Sequence, residues 1–308
     1  MRTIVINIGE TAGTATVPDK VVYAFNPNYV SIDLSDNYTG VLQLTVSDGT
    51  MSYGIEVTVF SGRAKCYISR LLQILFCDYV TMRSIAVTVT ISTREGNKLT
   101  SFDILALWAS LEAGYEYGYY LPIVSDRNGG RRKREIVWFT GLPFKVSLFS
   151  EEDGIHEVAP SEVSDSNISL IKNSAMDGTY LRWIDSYGFW QYYLFDTGQR
   201  QSKNKLSSIA IDAEYSVAGV NHHALRYSHV ENTDTIKCCA ISMKKEILAY
   251  VETIYKSPHI DLYVGKTSVG EVWKPVNIVA GSVNVSPDGK LFDYEISFTL
   301  PETQVQEI

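Results

Sequence analysis

Ile85-Ala86-Val87-Thr88-Val89-Thr90-Ile91 and Phe102-Asp103-Ile104-Leu105-Ala106-Leu107-Trp108 are the stretches whose reading decides the fold. Ile85, Val87, Val89 and Ile91 alternate with Ala86, Thr88 and Thr90, and Phe102, Ile104, Ala106 and Trp108 repeat the pattern. A period of two sends one set of side chains to one face of a strand, and β-branched residues suit a pleated, half-buried surface. Glu95-Gly96-Asn97 between them has turn chemistry. The pair reads as an antiparallel hairpin with one apolar face.

The same period extends outward. Val41 to Val46 and Ile55, Val57, Val59 read as strands joined across Ser47-Asp48-Gly49, and Val21 to Leu34 as a strand interrupted by Asn26-Pro27-Asn28. Ile68 to Phe76 predicts a short helix capped by Ser69, placed over a sheet or in the open end of a sandwich. Further on, Tyr180-Leu181-Arg182-Trp183-Ile184 and Trp190-Gln191-Tyr192-Tyr193-Leu194-Phe195 read as two aromatic strands around a tight turn with Gly188. A second helix is expected from a cap at Ser242, with Ile247, Leu248, Val251, Ile254 and Tyr255 as its apolar stripe and Pro258 beyond its end. Phe292, Tyr294, Ile296 and Phe298 give a half-buried closing strand. The expected fold class is mostly β: two β-sandwich-like domains with two short helices. Their bounds are 1–125 for an N-terminal β domain, 126–134 for a basic linker, and 135–308 for a C-terminal β-rich domain with a late helix.

The 308 residues are 45% hydrophobic and 20% charged, a globular balance that excludes disorder, collagen and coiled coil and gives a prior of two domains. The net charge of −8 disfavours nucleic acid unless basic groups are gathered in one place. They are gathered at Arg131-Arg132-Lys133-Arg134, after Asn128-Gly129-Gly130. That run reads as a phosphate-binding loop, a processing site, or a solvated loop between domains. The first eight residues alternate as a strand does and show no secretory signal, and no run of about 18 apolar residues is present to span a bilayer. Cys66, Cys77, Cys238 and Cys239 lack disulfide-framework spacing, which points to synthesis in a reducing cytoplasm.

No sequence motif marks a catalytic centre. The chain has no Gly-x-Ser-x-Gly elbow and no phosphate-cradling glycine loop; Gly265-Lys266-Thr267 lacks the upstream glycine. The expectation is a non-enzyme with no catalytic residues, no cofactor and no metal. His222, His223, His229, Cys238 and Cys239 offer imidazole and thiolate for a soft metal. Neighbouring residues of a strand point to opposite faces, so at most one of each adjacent pair converges on one ion. The competing reading is histidines in a loop, with a core cysteine beside an exposed one. Tyr115, Tyr117, Tyr119, Tyr120, Trp183 and Trp190 are the candidate interface or glycan contacts, because Tyr and Trp anchor protein interfaces and stack on sugar rings. Core packing is the alternative for them.

Three segments carry a resemblance. Tyr23-Ala24-Phe25-Asn26-Pro27-Asn28-Tyr29-Val30 with Gly62 to Phe76 is one, and the Leu181 to Phe195 hairpin is another. Tyr255-Lys256-Ser257-Pro258-His259-Ile260 with Trp273-Lys274-Pro275-Val276 is the third. Together they resemble structural proteins, tail or baseplate components, of phages and prophages of gut Bacteroidetes. That family often has two glycines in the hairpin turn, where this chain has only Gly188. The resemblance implies a distal-tail-like ring subunit located in the virion and made in the host cytoplasm. Its implied partners are other copies of itself and neighbouring tail proteins, with no nucleic acid and no membrane span. A glycan is the partner under the alternative reading, a receptor-binding surface module.

Overall fold

A computed structural model of the chain describes residues 1–34, 38–77, 83–110, 134–150, 152–164, 168–206, 210–227, 229–285, 290–301 and 303–307. In chain order, β1 (Arg2–Ile8), β2 (Thr11–Val17), β3 (Val21–Tyr23), β4 (Tyr29–Leu34), β5 (Gly40–Ser47), β6 (Ser52–Val59) and β7 (Arg63–Tyr67) precede α1 (Ser69–Cys77). Next come β8 (Ser84–Thr93), β9 (Lys98–Leu107), β10 (Arg134–Phe139), β11 (Val146–Ser150), β12 (Gly154–Val158), β13 (Ile168–Asn173) and β14 (Thr179–Ile184). Four strands follow: β15 (Trp190–Leu206), β16 (Ala210–Val217), β17 (Val220–Tyr227) and β18 (His229–Lys244). α2 (Lys245–Val251) runs into a 3-10 turn over Glu252–Lys256. The chain closes with β19 (Ile260–Lys266), β20 (Glu271–Pro275), β21 (Asn277–Val285), β22 (Leu291–Thr299) and β23 (Thr303–Glu307). It is mostly β with two short α-helices, β-sandwich-like, as the period-two patterning predicts.

Two compact units make up the chain, and both are discontinuous. The first comprises 1–134, 145–167 and 185–189; the second comprises 135–144, 168–184 and 190–308. Residues 145–167 and 185–189 were expected in the second domain, yet they belong to the first. The packing gives the reason. Ile155 of β12 and Phe189 of the β14–β15 turn share a buried cluster with Val21, Tyr23, Leu107 and Ala109.

In the first unit a four-stranded sheet, β1-β2-β4-β7, and a five-stranded sheet, β3-β9-β8-β5-β6, enclose one core. The hairpin read from sequence is present: Val87 faces Ile104 and Val89 faces Phe102, all buried. Ile6, Val30 and Ile32 come from the other sheet, and Leu71, Leu72, Leu75 and Phe76 of α1 complete the packing. Each such side chain stabilises the unit by about 1.5–3 kcal/mol. Ser69 opens α1, but its hydroxyl donates to the Asn26 carbonyl (2.7 Å) and accepts the Asn28 amide (2.8 Å), tying the helix to the Asn26-Pro27-Asn28 turn. In the β14–β15 turn, Asp185 Oδ1 accepts the amides of Tyr187 (2.9 Å) and Phe189 (3.0 Å). Gly188 sits there at φ +79°, and a Cβ would meet Ile155 Cδ1 at 2.8 Å and the Trp108 carbonyl at 2.9 Å. Only glycine suits that position.

The second unit is built on an eight-stranded sheet, ordered β20-β19-β14-β15-β18-β22-β21, with β23 also pairing β18. Leu248, Val251 and Ile254 of the expected stripe pack with Leu181, Trp183, Phe195, Cys238, Tyr294, Ile296 and Phe298, while Ile247 is half-buried and Tyr255 is exposed. Its start differs from the sequence reading. Ser242 does not cap α2: it lies within β18 at φ +56°, inside a register shift between Ala240 and Met243, and gives its amide to Asp293 Oδ1 (2.8 Å). α2 begins three residues later, with Lys244 as an N-cap that makes no side-chain capping bond.

Candidate interaction surfaces

β15 and β18 are 17 and 16 residues long, well beyond the usual strand of five or six. Arg200 and Ser202 of β15 both bond Asp234 of β18, which fastens the pair. Past Leu206 and His229 the chain continues into β16 and β17, a two-stranded sheet of their own with eight paired positions from Ala210↔Tyr227 to Val217↔Val220. At about 3.4 Å per residue this ribbon is roughly 27 Å long. Ala218 (φ +54°) and Gly219 (φ +82°) form its two-residue loop, the pair of positive φ values that matches strand twist in tight hairpins. The residues from Ser216 to His222 are all exposed. Val217 and Val220, at 55% and 58% exposure, set two apolar side chains at the tip.

The two ends of the eight-stranded sheet are unlike. β20 carries Glu271, Lys274 and Pro275, which discourage strand addition. β21 carries no charge over Asn277–Val285, and its residues Val279 to Asn284 are exposed, with Val279 at 58%. Among the described residues it carries one irregularity, a register shift between Ile278 and Ala280. Gly281 lets the Tyr255 hydroxyl rest on the strand, where a Cβ would overlap it.

On the face of β14, β15, β19 and β20 opposite α2, one cation is surrounded by rings. Arg182 has its guanidinium carbon 4.4 Å from the Trp190 ring centroid and 4.2 Å from that of Trp273. Its Nε donates to Asp261 Oδ2 at 2.8 Å, and His259 Nε2 lies 3.3 Å from the same oxygen. Burial pushes the Asp261 carboxyl up, but the bonds and charges of His259 and Arg182 outweigh it and hold the group below its ordinary value. Tyr263 lies 5.1 Å from Trp273, and Tyr180 and Tyr192 stack behind at 6.1 Å.

The residues singled out from sequence are distributed as follows. Trp190 is in this cluster. Trp183 points the other way: it is fully buried and donates its indole N–H to Thr253 Oγ1 (2.8 Å), so its ring is core and is not open to a sugar or a partner. Tyr115, Tyr117, Tyr119, Tyr120, Arg131, Arg132 and Lys133 lie outside the described residues, and Arg134 opens β10. His222 and His223 are in β17 and His229 begins β18, in strands where a loop was expected. Cys238 is buried and Cys239 half-buried, and burial pushes the Cys238 thiol up to about 12. Among the described residues no group of three His, Cys, Asp or Glu side chains is placed to hold a metal ion. Sequence reading missed Arg182 and Asp261. The signal was there, since each is a charge inside an apolar strand, Leu181-Arg182-Trp183 and Ile260-Asp261-Leu262.

No family model matches the chain, and no curated protein matches it. Among solved structures, it is similar to a chain in the C6-symmetric tail of an empty gene transfer agent particle, at 14% identity and a TM-score of 0.27. A chain of a native gene transfer agent virion is similar at 13% identity and a TM-score of 0.25. In both cases 43% of this chain and all of the other are covered. Likeness at that level fixes neither fold nor role.

Proposed function

We propose that this chain is a non-enzymatic structural subunit of a phage-type tail or baseplate assembly, acting in the virion through protein–protein contacts in a ring-like homo-oligomer. The observation that carries the reading is the β16–β17 ribbon. A two-stranded sheet standing by itself in the hydrogen-bond pattern, as β16–β17 does, is marginal in water. Eight paired positions ending in two exposed valines are material for a neighbour's surface. A ribbon on one copy that meets a different surface on the next is a heterologous contact, which closes into a ring when the rotation allows.

Mass photometry of the purified full chain is the test. Species above the 34.5 kDa monomer are expected. Val217→Asp combined with Val220→Asp should weaken association about tenfold or more, because each valine forfeits about 1.5 kcal/mol or more of burial. A monomer at every concentration, together with absence of the chain from purified particles, overturns the reading.

A second reading is favoured by a different observation. Arg182 lying over the rings of both Trp190 and Trp273, beside the half-buried Tyr263, supports a glycan-binding surface module.

A further inference from the structure

The ring-bound arginine says more about a ligand than the aromatic content does, and the inference below rests on the glycan reading. The guanidinium has three neighbours among the described residues. Its central carbon lies over the Trp190 ring at 4.4 Å and over the Trp273 ring at 4.2 Å, and Asp261 takes its Nε at 2.8 Å. Asp261 is itself held, with its side chain only 7% exposed and His259 on the same oxygen. The two terminal nitrogens of Arg182 take no hydrogen-bond partner among the described residues, and the side chain remains 24% exposed. What is left open is a planar fork of N–H donors, pre-oriented by the two indoles and the Asp261 bond. A fixed planar fork matches a planar carboxylate, which it binds through two parallel hydrogen bonds.

The surroundings narrow the ligand. Trp273 and Tyr263 are half-buried rings at the rim, suited to the C–H face of a pyranose. His259 is half-buried, and exposed Glu271 accepts the Trp273 indole N–H at 3.3 Å, so polar groups for hydroxyls flank the rings. The Asp261 charge is satisfied by Arg182 and His259, and that of Glu271 is in water, where screening limits repulsion of an anion. We infer that this cluster binds an acidic pyranose of the uronate class, its carboxylate gripped by the terminal nitrogens of Arg182 and its ring laid against Trp273 and Tyr263.

The test titrates the full chain with glucuronate, glucose and acetate, followed by tryptophan fluorescence and by saturation transfer from protein ring protons to the sugar. Glucuronate should saturate, with glucose and acetate each about tenfold weaker or more, the scale of one lost charge-assisted pair. Arg182→Lys should lose glucuronate by a similar factor, since an ammonium cannot present the fork. The saturation-transfer measurement needs no variant, so it decides the matter even if Arg182→Lys does not fold. Glucose binding as tightly as glucuronate overturns the carboxylate assignment and leaves the glycan reading standing. Acetate equal to glucuronate overturns the pyranose. No response to any sugar removes the glycan reading and the inference together.

Discussion

Arg182 brings a charge into a strand between buried Leu181 and Trp183, and the strand accepts it because Asp261 arrives directly opposite on β19. Removing one partner of a half-buried pair leaves the other desolvated, at a cost of about 1–3 kcal/mol. Asp261→Asn should therefore lower the melting temperature at pH 7. The carboxyl is held below its ordinary value when folded, so its contribution is present above the unfolded carboxylate range near pH 4 and disappears as pH falls through the lower folded value. Melts of native chain and variant should draw together as pH falls below the unfolded carboxylate range; a gap that stays constant while the carboxyl is protonated contradicts the assignment. The thiols follow similar logic. Cys238 is 1% exposed with its thiol pushed up to about 12, whereas Cys239 is half-buried. Alkylation of the folded chain near neutral pH, mapped by mass spectrometry, should label Cys239 ahead of Cys238 and Cys66.

Among the elements, the ribbon contains a local cost that can be removed. Ala218 occupies the left-handed region at φ +54°, which a side chain tolerates poorly. Ala218→Gly should stabilise β16–β17 by about 0.5–1 kcal/mol and slow amide hydrogen exchange along both strands. Faster exchange would show that the loop conformation differs. The β14–β15 turn gives the opposite case: Gly188→Ala puts a methyl against the Trp108 carbonyl and should cost about 1–3 kcal/mol in a thermal melt.

These two hairpins also mark what could be read from sequence. β8–β9 was legible because it has one buried face, which writes a period of two into the residues, and β14–β15 because aromatic and aliphatic side chains fill both faces around a turn with Gly188. The outer halves of β15 and β18 were not legible, because Gln201 to Lys205 and Glu231 to Thr235 are polar at every position and carry no apolar alternation. The Ser242 cap misled for a related reason. A serine before an apolar stripe has the right chemistry, yet the bulge in β18 and Asp293 take its amide first. Arg182 and Asp261 stood out as charges, but 79 residues separate them, and no local pattern pairs residues so far apart.

On the scale of the whole molecule, the net charge of −8 works against any assembly of identical copies. Surface charges more than about 8–10 Å apart are screened at physiological salt. Self-association measured by light scattering should therefore strengthen between about 20 and 300 mM salt, where the Debye length shortens from about 20 Å to below 8 Å. Association that weakens over that range would mean that ion pairs, rather than apolar tips, hold the copies together.

The interleaved chain path of the first unit bears on how it is made. Val21 pairs in parallel with Leu105, and the cluster around them is completed only by Ile155 and Phe189. On a ribosome, at about 5–20 residues per second, the N-terminal strands wait for more than 150 further residues to emerge before their last apolar neighbours exist. A nascent chain halted near residue 134 would expose Val21, Tyr23 and Leu107 to water and to chaperones, and its protease resistance should rise sharply only after residue 189 has cleared the exit tunnel.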